Sequence, residues 1–208
     1  MKIKTALFVS GFLGNDGKVE REGRIIDAIQ PAFSEIGWKI VPSKYHGGQP
    51  TNKALEEYRD ILAEEIAAIK PDALIGHSMG TLLIRGLPEE FDGPIVLIEG
   101  PNWGAPWWKL LLSKYPIWNK SIRGMVRKGF PRIKTSKYIL RLRDIPIKSA
   151  PVLEIHGTLA NSELGRDVFE RIPYVRNFEN FPDIKHVTLA TDKKVIEVVL
   201  KFIQKHAK

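Results

Sequence analysis

Residues Gly76, His77, Ser78, Met79 and Gly80 set a serine between two glycines, directly after the apolar run 73–75. A serine hydroxyl attacks a carbonyl carbon only when a base takes its proton and donors hold the oxyanion that develops. A sharp bend from strand into helix meets part of that need. It exposes the hydroxyl oxygen and points the next residue's N–H out of a helix N-terminus. Side chains two positions before and after the serine would clash in such a bend, and both positions here are glycine. The plain alternative is a turn serine at a close-packed junction. The pattern is short enough to arise by chance, so its weight depends on the elements around it.

Those elements can be read from hydrophobic periodicity. Residues 4–11 form a short apolar run ended by Gly11, residues 38–45, 72–78, 93–100 and 150–157 give further runs, and 174–181 gives a weaker one. Runs of this length and composition are strand signatures. Ile25, Ile26 and Ile29 give a helical face that is expected to stop near Pro31. Ala54, Leu55, Tyr58, Ile61, Leu62, Ile66 and Ile69 recur at helical spacing behind a Thr51 or Asn52 cap, and Pro71 ends them. Asp192 caps a last helix whose face carries Val195, Val198, Val199, Phe202 and Ile203. Uniformly apolar strands alternating with helices predict an α/β fold, a mostly parallel sheet covered on both faces. Ligands of such sheets sit beyond the carboxyl ends of the strands. Ser78, the turn 11–14, Glu99 and the loops 156–161 and 183–188 all fall at or after those ends, so one rim gathers them.

With that element order, "GHSMG" at 76–80, "SGFLGN" at 10–15, "IHGTL" at 155–159 and "KHVTL" at 185–189 resemble the α/β-hydrolase superfamily, above all its small lipase and esterase members. The likeness spans nearly the whole chain. It implies a single α/β-hydrolase domain over 1–208, with a mostly parallel central sheet, helices on both faces and a helical cap inserted at 101–148. It implies Ser78 as nucleophile and the backbone N–H groups of Phe12 and Met79 as the oxyanion hole. Ser10-Gly11 replaces the usual histidine-glycine ahead of Phe12, a tolerable departure because the hole uses backbone. The superfamily order is serine, acid, histidine, and His186, between the last strand and the last helix, stands where the base is expected. His46 precedes the serine, His206 sits at the chain end, and His156 ends a strand, where packing is the simpler role.

The acid is the anomaly. The family reads histidine-glycine-x-x-aspartate after the penultimate strand, whereas this chain has Ala160 at the aspartate position. A methyl group neither accepts the imidazole N–H nor stabilises an imidazolium. Three readings are open. Position 160 is vacated by substitution, which the intact motif on either side favours and which leaves an impaired ester hydrolase. Alternatively the acid is Glu99, at the end of the fourth strand, with Asp144, Glu163, Asp167 and Asp183 weaker candidates. In the third reading the chain has lost catalysis and only binds. Ala160→Asp is expected to raise turnover in the first case and to do little in the second.

Hydrophobic residues at 43% and charged residues at 27% are globular values. There is no cysteine, so neither a disulfide nor a thiolate metal site forms. The basic-then-apolar start reads as a first strand rather than a leader, its apolar part being only about seven residues. No metal-ligand spacing or nucleotide loop stands out, and no cofactor is expected. The formal net charge of +8 is concentrated between 101 and 148, where twelve Lys/Arg accompany one acid, Asp144. Four of the five tryptophans lie there too. Cations interleaved with aromatic residues suit a lid over an apolar pocket, with Trp103 and Trp107 as candidate substrate contacts, or a helix on an anionic membrane surface. They also suit a cap whose lysines simply face water. Nucleic acid is a poor fit without a supporting motif. The expected partner is a small-molecule or lipid ester and the expected location the cytoplasm, with peripheral membrane attachment as a variant. The rival function is a non-catalytic module binding lipid or anionic partners through the basic segment.

Overall fold

The computed structural model describes residues 3–11, 20–44, 55–87, 91–101, 150–158, 160–161 and 171–207. Six strands build one sheet: β1 (Lys4–Val9), β2 (Trp38–Pro42), β3 (Ala73–His77), β4 (Ile95–Ile98), β5 (Val152–His156) and β6 (Asn177–Asn180). Their spatial order is β2-β1-β3-β4-β5-β6, and every neighbouring pair is parallel. The described helices are α1 (Glu20–Glu35), α2 (Leu55–Ile69), α3 (Gly80–Arg85), α4 (His186–Leu189) and α5 (Lys193–His206).

Alternation along each strand divides the core into two layers. Ala6 and Phe8 of β1 face Ile29 and Phe33 of α1 and Val195, Val199 and Phe202 of α5. Leu7 and Val9 turn the other way, toward Tyr58 and Leu62 of α2 and Leu82 and Leu83 of α3. β1, β3, β4 and β5 are buried along most or all of their length, as parallel strands covered on both faces must be. β6 is the exposed edge, and its Asn-Phe-Glu-Asn sequence is accordingly the most polar of the strands. Asp192 caps α5 as its sequence position implies, its side chain accepting from the Lys194 N–H at 2.9 Å.

α1 departs from expectation, because it runs through Pro31 to Glu35. Proline removes a helix N–H and crowds the preceding turn, at a cost of roughly 3 kcal/mol. Pro31 lies on the exposed side, while Ile29 and Phe33 are 3% and 1% exposed on either side of it. Burying those two side chains is worth about 1.5–3 kcal/mol each, enough to hold the helix across the proline.

The strand order reverses at β1: the chain passes from β1 to β2 on one side and then to β3 on the other. In open parallel sheets ligands bind beyond the carboxyl ends of the strands at such a switch point, here the ends of β1 and β3. Ser78 follows β3 directly, at that switch point. If α1 owes its span to this packing, Phe33→Ala should cost about 3–5 kcal/mol of stability, read as a lower urea midpoint.

Candidate functional site

The bend at Ser78 is built by four backbone features. Ser78 has φ 54, in the left-handed region that a non-glycine residue enters at a cost of about 1–3 kcal/mol. Its N–H donates to the Ile98 carbonyl of β4 at 2.9 Å. Its carbonyl accepts the Thr81 N–H at 3.1 Å and the Thr81 hydroxyl at 2.7 Å. The junction is also too tight for side chains: a Cβ on Gly80 would lie 2.1 Å from the Val9 carbonyl oxygen, and one on Gly11 would lie 2.6 Å from the Ser78 Cβ. Gly11 therefore brings the end of β1 against the serine, and Met79, whose N–H precedes α3, is buried beneath it.

Glu99 stands at the next strand end. It too is left-handed, with φ 42, and its N–H donates to the Ile155 carbonyl of β5 at 2.7 Å. Its side chain is fully buried. A buried carboxylate is costly unless donors surround it. Here Oε1 accepts the Gly157 N–H at 3.0 Å and the Ala160 N–H at 2.9 Å, while Oε2 lies 2.8 Å from Nδ1 of His186. A carboxylate only accepts, so the hydrogen bond between them is donated by Nδ1 of His186. The loop before His186 is tied to the loop after β5 by the Thr158 N–H and hydroxyl, both donating to the Ile184 carbonyl at 2.9 and 2.7 Å.

His77, which no motif singles out, directly precedes Ser78 and packs against His186. It is buried, its ring centroid is 4.7 Å from that of His186, and its Nε2 is 3.0 Å from the His186 carbonyl oxygen. The carbonyl accepts, so Nε2 of His77 carries the proton. Burial first, and the neighbouring His186 second, lower its pKa from 6.5 to about 3, against the opposing effect of that hydrogen bond. His77 is a neutral imidazole. A titratable side chain closing an otherwise apolar strand was the available clue, and Glu99 after β4 offered the same one.

The structure thus gathers Ser78, Met79, Glu99, Ala160 and His186 on one rim. The imidazole of His186 has a carboxylate partner although position 160 is alanine, and that partner is the strand-end glutamate. Position 160 contributes a backbone N–H to the same carboxylate. His156 instead pairs with Glu154 at 2.9 Å and meets Phe178 edge-on, inside the far part of the sheet. Asp183 is exposed in the loop before His186. Phe12, Trp103, Trp107, His46, Asp144, Glu163, Asp167 and the expected cap at 101–148, apart from Pro101, lie outside the described residues. Among the described residues, no group of three or more His, Asp or Glu converges to hold a metal ion, and no helix is long and apolar enough to cross a membrane.

No protein-family model matches the sequence, and no curated protein does. Solved structures do match over most of their length. A lipase-esterase related protein from Clostridium acetobutylicum aligns at 20% identity with a TM-score of 0.63, covering 97% of this chain and 95% of that one. The esterase Pf2001 of Pyrococcus furiosus aligns at 19% identity and TM-score 0.63, covering 99% and 84%. The 1H-3-hydroxy-4-oxoquinoline 2,4-dioxygenase aligns at 14% identity and TM-score 0.62, covering 97% and 92%. The chain has the α/β-hydrolase fold. A dioxygenase among these neighbours means that the fold does not by itself choose the chemistry, which must be argued from the site.

The environment of His77 has a consequence for stability. The unfolded chain protonates this imidazole near 6.5, whereas the folded chain resists until about 3. Between those values the unfolded state binds the extra proton, so stability falls as pH falls, by up to about 1.4 kcal/mol per pH unit from this residue. His77→Gln should lose that contribution, and urea midpoints of the two proteins measured from pH 7 to pH 4 should show the shallower acid slope in the variant.

Proposed function

We propose that the protein is a serine hydrolase of carboxylic esters, with Ser78 as nucleophile, His186 as base and Glu99 as the acid. The observation that carries this reading is the 2.8 Å contact between His186 Nδ1 and a buried carboxylate, on a strand end adjacent to a left-handed serine. Residues in sparsely populated backbone conformations cluster at active sites, and here two of them occupy neighbouring strand ends. The esterases among the structural neighbours support the substrate class through their names alone.

The chemistry follows from the atoms. Nε2 of His186, unprotonated, takes the Ser78 hydroxyl proton as Oγ attacks the ester carbonyl. Glu99 holds the ring and stabilises the imidazolium that forms. The oxyanion of the tetrahedral intermediate is received by the Met79 N–H, and the resemblance adds the Phe12 N–H. His186 then protonates the departing alcohol, leaving an acyl group on Ser78 that water removes by the same steps. No cofactor enters this sequence. On this reading Ala160 does not impair the enzyme: it is the position whose backbone helps to seat the acid.

The non-catalytic alternative drew on an empty acid position and on the basic segment. The Glu99–His186 pair removes the first motive. The second, from 101 to 148, leaves attachment to an anionic surface as a property compatible with hydrolysis.

A fluorophosphonate probe should label Ser78, and Ser78→Ala should abolish labelling. Stoichiometric labelling elsewhere would sink the proposal. The acid is tested by a pair of variants assayed on p-nitrophenyl esters. In Glu99→Gln the two N–H donors at Gly157 and Ala160 claim the amide oxygen, which turns the amide NH2 toward His186. That forces the proton onto Nε2, the wrong tautomer, and turnover should fall by roughly 10²–10⁴ with the fold retained. Ala160→Asp places a second carboxylate beside the first and should not accelerate the reaction. A gain approaching 10⁴-fold would instead mark position 160 as the vacated acid site.

A further inference from the structure

We infer that His77 is a positioning residue for the base, its Nε2–H holding the His186 main chain so that the imidazole stays between Ser78 and Glu99. The inference rests on the proposed roles of Ser78, His186 and Glu99.

His186 is held from two sides by features already described, Glu99 at Nδ1 and the Thr158 clasp two residues upstream at the Ile184 carbonyl. Neither of these reaches the strand that carries the nucleophile. His77 does, because it is the last residue of β3 and is covalently joined to Ser78. Its hydrogen bond to the His186 carbonyl, at 3.0 Å, and its ring against the His186 ring, at 4.7 Å between centroids, tie the base to the peptide immediately before the nucleophile. Serine and base belong to segments more than a hundred residues apart in sequence, the span of that contact being 109. Proton transfer depends on their relative placement, and a misplacement of about 1 Å can cost of the order of 10²-fold in rate.

A neutral donor suits the task. A lysine or arginine there would set a fixed positive charge beside the imidazolium that forms during attack, and would oppose it. His77 remains uncharged through the neutral range, for the reasons of burial already given. A purely apolar residue would fill the space but leave the His186 carbonyl without this donor. The histidine supplies both the flat ring and the N–H.

The test separates the ring from the donor. His77→Phe keeps a ring and removes the N–H. His77→Gln gives up the ring but places an amide nitrogen near the position of Nε2. Wild type and both variants are compared for p-nitrophenyl acetate hydrolysis, for the rate of fluorophosphonate labelling and for urea midpoint at the same pH. His77→Phe should lower kcat and the labelling rate roughly 10- to 100-fold with KM changed less than about twofold, and His77→Gln should recover most of that loss. Rates in His77→Phe equal to wild type overturn the inference. So does a loss that His77→Gln fails to relieve, or one expressed in KM with kcat unchanged, since loss of packing alone would follow the ring and not the donor. Should the phenylalanine variant not fold, His77→Asn, whose shorter amide does not reach the carbonyl, takes its place with the same expected loss. Ser78→Ala run in parallel keeps the two readings apart. Labelling that persists there, or wild type that neither labels nor hydrolyses, overturns the assignment of the site itself and the inference with it. Labelling lost in Ser78→Ala but undiminished in His77→Phe overturns the positioning role alone.

Discussion

The structure turns on a buried carboxylate. Glu99 has no exposed surface, and an anion in that position persists only if every direction in which its oxygens look is answered by a donor. The answers come from three places in the chain: the N–H of Gly157, the N–H of Ala160 and the ring of His186. Satisfying one charge therefore fixes the loop after β5, the loop before α4 and the orientation of the imidazole together. The electrostatic requirement is local, but its solution sets the shape of much of the rim.

The sheet makes that solution reachable. Parallel strands deliver their carboxyl ends to the same edge, so residues distant in sequence are neighbours in space without any special folding of the loops. β3 and β4 lie side by side, and each is followed at once by a residue with positive φ, Ser78 and Glu99. Tight approach between β1 and the start of α3, allowed by the missing Cβ of Gly80, keeps the serine bend close to the sheet. Core packing and site geometry are in this sense one constraint: the apolar layers on both faces hold the strands rigidly enough to pay the local strain at their tips.

How much of this was visible in the residues depends on what kind of signal each feature leaves. The strands were legible because a parallel sheet covered on both faces demands uninterrupted apolar runs, and the helices because their apolar residues keep a helical period. Pro31 misled, since local propensity argued for a stop while Ile29 and Phe33 argued for continuation, and burial prevailed. Ser78 was legible through the spacing of its glycines. Glu99 was visible as the alternative acid, ahead of the other carboxylates, but behind a vacated position 160. Its selection depends on the backbone N–H groups of Gly157 and Ala160, and a backbone donor leaves no mark in a sequence. Motif comparison pointed to position 160 for the side chain that was missing there, when the contribution of that residue is its main chain. His77 closes an otherwise apolar strand, but its partner could not be read because it is a carbonyl oxygen, present at every residue.

The separation of Glu99 from His186 by 87 residues bears on how the molecule is made. As the chain emerges from the ribosome, β1 to β4 are complete before either β5 or the last loop exists. In that interval none of the donors to Glu99 has been synthesised, and the carboxylate must stay hydrated, which keeps the carboxyl end of β4 open to water. Closure awaits the C-terminal third of the chain, when β5 adds the fifth strand and the histidine loop descends on it. Burial of this one charge thus requires the C-terminal segments, which supply its donors at Gly157, Ala160 and His186.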